Sequence, residues 1–362
     1  MIKKITTLLC LSILCSSALY AQQTETKSSE SEQESETSVD LTPQLFGSVR
    51  AKYEQSTETD LHRFNVRNSR LGVKGNTSES MSYQIQIDFN NEGSISILDS
   101  YVTYNSGNFK FSLGQQQYHF NADLDRGPSS SLFSNRSFLS KYLTTYYNET
   151  TSKTIGSRDI GAIASYKLPT TLPVSIMAGL MNGSGANNPE WTQSVNFVGR
   201  LTVGDQKGLQ GAASYYTGTT PYAQDIMMYG AELRYAGQDY LIESAFAERK
   251  LEQDGTQTLT AAHVHGYYNF HIDKCAAIEY LAPHLRWDVG NGIEFVNQQS
   301  LAVDRFDANR ITVALNIGFA KKWIGSEIRL AYEEYLVGSS HTDSAINPLL
   351  QDKYTIEFIA SF

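Results

Sequence analysis

The chain is poor in cysteine, in long apolar runs and in positive charge. Of its three cysteines, Cys10 and Cys15 fall in the first twenty residues. They sit inside what reads as a secretory leader: Lys3 and Lys4, the apolar run Leu8 to Leu14, then small residues near Ala18 and Ala21. Leu14 precedes Cys15 where a lipid-attachment site would need a small residue. With residues 1–21 removed as a signal peptide, Cys275 stands alone and no intramolecular disulfide can form. The leader's apolar core is too short to cross a bilayer as a helix, and no later segment has 18 consecutive apolar residues. A helical span is thereby excluded. A transmembrane β-barrel is not, because it carries its apolar face on alternate residues.

The formal charge is −9. Residues 22–40 (QQTETKSSESEQESETSVD) hold six of the acids and almost nothing to bury, and read as a disordered acidic lead-in on the periplasmic side. From Leu41 onward 26 basic and 32 acidic residues remain, a balance of −6. An acidic bulk balance argues against a nucleic-acid partner. It says little about a pore, where inward charges near the narrowest point decide.

What the chain has is a period of two. The run 81–90 is the cleanest: Met81, Tyr83, Ile85, Ile87 and Phe89 alternate with Ser82, Gln84, Gln86, Asp88 and Asn90. Similar runs occupy 44–54, 64–75, 95–105 and 109–118. Eleven more fall at 159–168, 173–181, 194–203, 208–217, 227–236, 239–250, 259–271, 275–288, 309–319, 325–337 and 353–362. Sixteen runs of roughly ten residues match strands that cross a bilayer at a tilt. A slip near Ser69-Arg70 and another at Pro283 each suggest a β-bulge. Connections alternate between short and long, the plan of a barrel with periplasmic turns and outer loops, with the tight 91–94 hairpin as the exception. The 22 Tyr and 16 Phe supply aromatic girdles, and the last run ends on Phe362, as outer-membrane assembly signals do. The fold read from these features is all-β: over 41–362, a 16-stranded antiparallel transmembrane barrel, wide enough for an aqueous channel.

The longest interruption is 119–158. Gly127-Pro128 and Ser129 to Ser131 break regular structure, yet Phe120, Leu132, Phe133, Phe138, Leu139, Tyr142, Tyr146 and Tyr147 give it something to pack. It reads as the third long-side loop, folded into the barrel to set the pore width. Its candidate constriction charges are Asp123, Asp125, Arg126, Arg136 and Lys141, which either face the pore or pair with one another and the wall. On the wall, Arg50, Lys52, Arg67, Arg70, Lys74 and Lys110 lead the inward basic candidates, with Arg200, Arg234, Arg286 and Arg329 further on. Arginine offers a planar fork to phosphate oxygens. Against them stand Asp88, Glu232, Glu243, Glu279, Glu327, Glu333 and Glu357, so an anion path competes with plain solvation of a polar wall. His263, His265 and His271 share a strand face with Asp273 beyond; alternate histidines can chelate a metal, but in a wet wall they read as polar lining. No cofactor or metal is expected, and no catalytic group stands out.

RFNVRNSRLGVKGN (63–76), SYQIQIDFN (82–90), LDSYVTY (98–104), FSLGQQQYHF (111–120), SNRSF (134–138) and SRDIGA (157–162) resemble the phosphate-selective porin O/P family, most of all its Bacteroidetes members. The resemblance covers roughly residues 63–168; the C-terminal half matches in pattern only. It implies a homotrimer in the Gram-negative outer membrane and passive diffusion of small hydrophilic solutes. It also implies an anion preference, carried here by Arg67, Arg70 and Lys74. Rival readings are a sugar- or peptide-preferring channel using the loop tyrosines as a stacking track, a barrel enzyme, and an adhesin.

Overall fold

The computed structural model describes residues 39–91, 94–127, 130–143, 157–220, 224–252, 256–296, 303–320, 325–338 and 350–362. The leader, residues 22–38 of the acidic tract, and Tyr146 and Tyr147 lie outside them. The strands are β1 (Gln44–Ser56), β2 (His62–Asn76), β3 (Met81–Asn91), β4 (Ser94–Ser106), β5 (Phe109–Gln117), β6 (Arg158–Leu168), β7 (Val174–Met181), β8 (Asn196–Gly204) and β9 (Gly208–Thr219). They continue with β10 (Asp225–Ala236), β11 (Tyr240–Glu252), β12 (Thr256–Tyr268), β13 (Phe270–His271), β14 (Ile278–Val296), β15 (Val303–Phe319), β16 (Gly325–Val337) and β17 (Lys353–Ser361). β12 and β13 both pair with β14 and form one crossing broken at Asn269. The sheet therefore has sixteen antiparallel crossings, and it closes because β1 pairs with β2 on one side and β17 on the other.

The alternation places side chains inside out relative to a soluble protein. Along β17, Lys353, Thr355 and Glu357 are buried while Tyr354, Ile356 and Phe358 are exposed. Arg286 is 1% exposed and its neighbour Leu285 58%. A soluble monomer does not surround itself with a continuous apolar belt. In lipid the belt is solvated, and closure leaves no unpaired strand edge in a medium that cannot hydrogen-bond it. This is a transmembrane β-barrel, and no described helix is long and apolar enough to cross a membrane.

The closing seam runs on to Phe362. The Phe362 N–H donates to Gly47 O at 3.1 Å and the Gly47 N–H to Phe362 O at 3.0 Å. A Cβ on Gly47 would stand 2.6 Å from the Phe362 ring and 2.7 Å from Arg70 O. Gly47→Ala should thus cost about 1–3 kcal/mol of overpacking at the seam, read as a lower urea midpoint in vesicles; an unchanged midpoint would mean that the seam is slack.

Several local expectations need correction. The bulge in β2 is at Arg67, skipped between Val66 and Asn68 opposite Ala51 and Arg50, and not at Ser69-Arg70. The ladder runs through Pro283, opposite Leu315, without a shift. The shift comes earlier, at Glu279, which leaves that carboxylate exposed and sends Tyr280 to hydrogen-bond Glu327 at 2.6 Å. β14 and β15 also run on into the expected 289–308 loop, to Val296 and from Val303. Gly290-Asn291-Gly292 forms a second bulge, with Gly292 at φ +65, and pairing resumes at Ile293 and Phe306.

Candidate functional site

Between β5 and β6 lie two short helices, α1 (Ala122–Asp125) and α2 (Phe138–Tyr142). Each starts on a side-chain cap: Asn121 accepts from the Asp123 N–H at 2.8 Å, and Ser137 from the Ser140 N–H at 3.1 Å. Such caps satisfy donors that a one-turn helix cannot satisfy itself. Phe120, Leu124, Phe138, Leu139, Tyr142 and Leu143 are buried in one cluster with residues of the wall, among them Met181, Tyr216, Met228, Ala261 and Phe306. Phe133 packs separately on Ala314 and Ala331.

A buried irregular segment must find partners for its carbonyls. Here the wall arginines supply them. Arg50 donates to Ser134 O at 3.1 Å, Arg286 to Asn135 O at 3.0 Å and Arg310 to Arg136 O at 2.6 Å. Arg249 reaches Tyr142 O at 2.9 Å, and Arg200 reaches Phe120 O at 2.8 Å. Carboxylates on the same wall hold these arginines. Asp288 accepts from Arg310 at 2.8 Å, pairs with Arg286 at 2.8 Å, and takes the Phe138 N–H at 3.3 Å. Glu333 lies 3.3 Å from Arg310, and Glu357 2.7 Å from Arg50.

Arg50, Arg67 and Arg70 converge on one cavity of about 20 Å³, together with Arg126, Arg136 and Arg286. Asp123 is the one carboxylate lining it. Arg70 also pairs with Asp88 at 2.9 Å. Lys52 points elsewhere, to Glu54 and Asn135, each at 2.9 Å. Lys74 and Lys110 are exposed near the short-turn end, and neither lines the cavity. Asp125 faces His119 at 3.3 Å, and Lys141 lies over the Tyr142 ring at 4.9 Å. Asp123 accepts from Ser137 at 2.6 Å, from Ser140 and from Arg126 at 3.3 Å. Burial alone would raise its pKa, but His263, Arg126, Arg286 and the Ser137 hydroxyl hold it well below the usual carboxylate range.

Arg126 also forks onto both oxygens of Glu243. It borders a second, larger cavity of about 890 Å³, which extends from Asp125 and Ala122 to the short-turn residues Asn108, Pro169, Gly204 and Asp205. The larger cavity and the narrow arginine-lined one thus meet at one side chain.

Of the histidines, His263 and His265 come together on β12, whereas the break at Asn269 takes His271 out to Asp239, 2.8 Å away, and not to Asp273. Reading the sequence missed Arg310, the arginine with the most partners at the seat of α2, although its place among Ala308, Thr312, Ala314 and Asn316 marks it as inward. It also missed the buried Arg158–Asp99 pair at 2.8 Å, since Arg158 appeared to belong to a loop.

A closed sixteen-crossing barrel with a polar inner face and an apolar outer one defines the porin class. Solved structures share it. An anion-selective porin from Comamonas acidovorans matches with a TM-score of 0.59 at 13% identity over 89% of this chain and 99% of its own. The outer membrane channel DcaP of Acinetobacter baumannii matches at 0.58 and 13%, over 88% and 97%. The trimer form of OmpT, an outer membrane protein of Vibrio cholerae, matches at 0.54 and 14%, over 89% and 99%. No curated protein sequence matches the chain. The family model for Gram-negative porin matches residues 6–275, and the chain belongs to that family.

Proposed function

We propose that the protein is a passive outer-membrane diffusion channel for small hydrophilic solutes, with a preference for inorganic anions, and that the segment between β5 and β6 is its constriction. One observation carries this reading: six arginines and a single carboxylate line the narrow cavity where that segment meets the wall. A fixed excess of guanidinium groups at a waist raises the local anion concentration and opposes cations. The acidic balance of the whole chain does not weigh against it, because only one carboxylate, Asp123, lines the cavity. The resemblance of residues 63–76 to phosphate-selective porins O/P supports phosphate as one such anion, and the trimer form of OmpT favours a homotrimer.

Single-channel recording across a salt gradient tests this. The reversal potential should lie on the anion side, and Arg67→Ala should move it toward zero while conductance persists. A cation-side potential would overturn the anion preference. Absence of conductance would overturn the channel itself.

A further inference from the structure

The strongest feature outside the arginine cavity is a buried trio of metal-ligating side chains. His263 and His265 project from the same face of β12, two residues apart, with rings stacked at 5.2 Å. Glu243 stands opposite His265 in the β11–β12 register. The Glu243 Oε1 atom lies 3.7 Å from His265 Nε2 and 3.9 Å from His263 Nε2, and one ligand atom from each residue falls within 4.8 Å of the others. All three residues are buried. Both ring nitrogens of His263 and Nε2 of His265 make no hydrogen bond in the described structure. Buried polar nitrogens are normally partnered. The two carboxylate-to-imidazole separations are within about 0.6 Å of 3.3 Å, the separation between ligands on tetrahedral zinc bonds of about 2.0 Å, and the two imidazole nitrogens close on the same point from no more than 4.8 Å apart.

We infer that Glu243, His263 and His265 bind one divalent transition-metal ion of the Zn²⁺ class, and that Arg126 occupies the carboxylate when the ion is absent. Two imidazoles and a carboxylate suit Zn²⁺, Ni²⁺ or Cu²⁺ and discriminate against Mg²⁺ and Ca²⁺. The fork of Arg126 on Glu243 supplies the compensating positive charge in the metal-free protein. Because Arg126 borders both cavities, an ion entering from the larger one has to displace it. Binding therefore swaps one guanidinium for an ion and frees Arg126 at the waist. Asp123 remains as its alternative partner, while Arg286 and Asp288 face the site from β14.

The test is Co²⁺ titration of the untagged, detergent-solubilised chain, followed by visible absorption. One Co²⁺ per chain is expected, displaced by Zn²⁺, lost in His263→Ala/His265→Ala and retained in His271→Ala. Arg126→Ala should tighten binding by about tenfold, the equivalent of the charged hydrogen bonds no longer in competition. Because this variant leaves all three ligands intact, it reports on the site even if the histidine variants fold poorly. Micromolar Zn²⁺ should also change the single-channel conductance of the unmodified protein but not of His263→Ala. The inference is overturned if neither the unmodified chain nor Arg126→Ala binds Co²⁺, if binding survives loss of both histidines, or if it depends on His271.

Discussion

Asp288→Ala is expected to destabilise the barrel by about 3–5 kcal/mol, because it strands two buried cations. Asp288 is fully buried, pairs with Arg286 and Arg310, and caps the Phe138 N–H at the start of α2. Neither arginine can turn to water: they are 1% and 2% exposed, and each also holds a carbonyl of the segment above it. Glu333 alone would then face both of them. Urea unfolding in vesicles, followed by tryptophan fluorescence, should show the loss. Single channels should become larger and noisier as residues 135–138 lose their seat. A midpoint within experimental error of the unmodified protein would show that the remaining acids suffice. Asp288→Asn, which keeps the acceptor and loses the charge, should fall between the two.

Phe138→Ala is expected to cost about 3–5 kcal/mol, the range for emptying a buried phenylalanine site. The ring is 1% exposed, lies 4.7 Å beneath the Arg310 guanidinium and 6.2 Å from the Tyr335 ring, and joins α2 to the main apolar cluster. The barrel ladder does not pass through it. The loss should therefore appear as local release of the segment before global unfolding, with hydrogen exchange rising over residues 132–143 and little change in β1 and β17. Uniform exchange across all strands would show that the segment and the wall unfold as one unit. If the segment is the constriction, conductance rises in the same variant.

The two variants separate charge from packing, and the sequence made that distinction only partly visible. The oddly apolar composition of 119–158 is legible, since Phe120, Phe138 and Leu139 have no place in a solvated tip. The partners of its charges are not. Asp123, Arg126 and Arg136 look alike as isolated letters, yet Arg126 forks onto a glutamate 117 positions away, and Asp123 is held by two serines at the start of α2. Arg50, Arg67 and Arg70 converge, while Lys74 and Lys110, of the same sign and on the same alternation, do not. Position along the barrel axis separates them, and axial position depends on register and shear. The bulges were misplaced for a related reason. A bulge is a mismatch between two strands, so β2 by itself does not say that Arg67 is the residue left over.

What the sequence determined by itself is the barrel: the number of crossings and their inner and outer faces. Alternation is a local property with a period of two, and lipid outside plus polar groups inside makes its sign unambiguous. Only the tertiary structure decided which arginines line one cavity, which carboxylates pair with them, and that two histidines and a glutamate come together. Some of those relations span most of the chain, as Arg50 and Glu357 do at 307 positions apart, others only two paired strands, and all depend on a register that no single strand encodes.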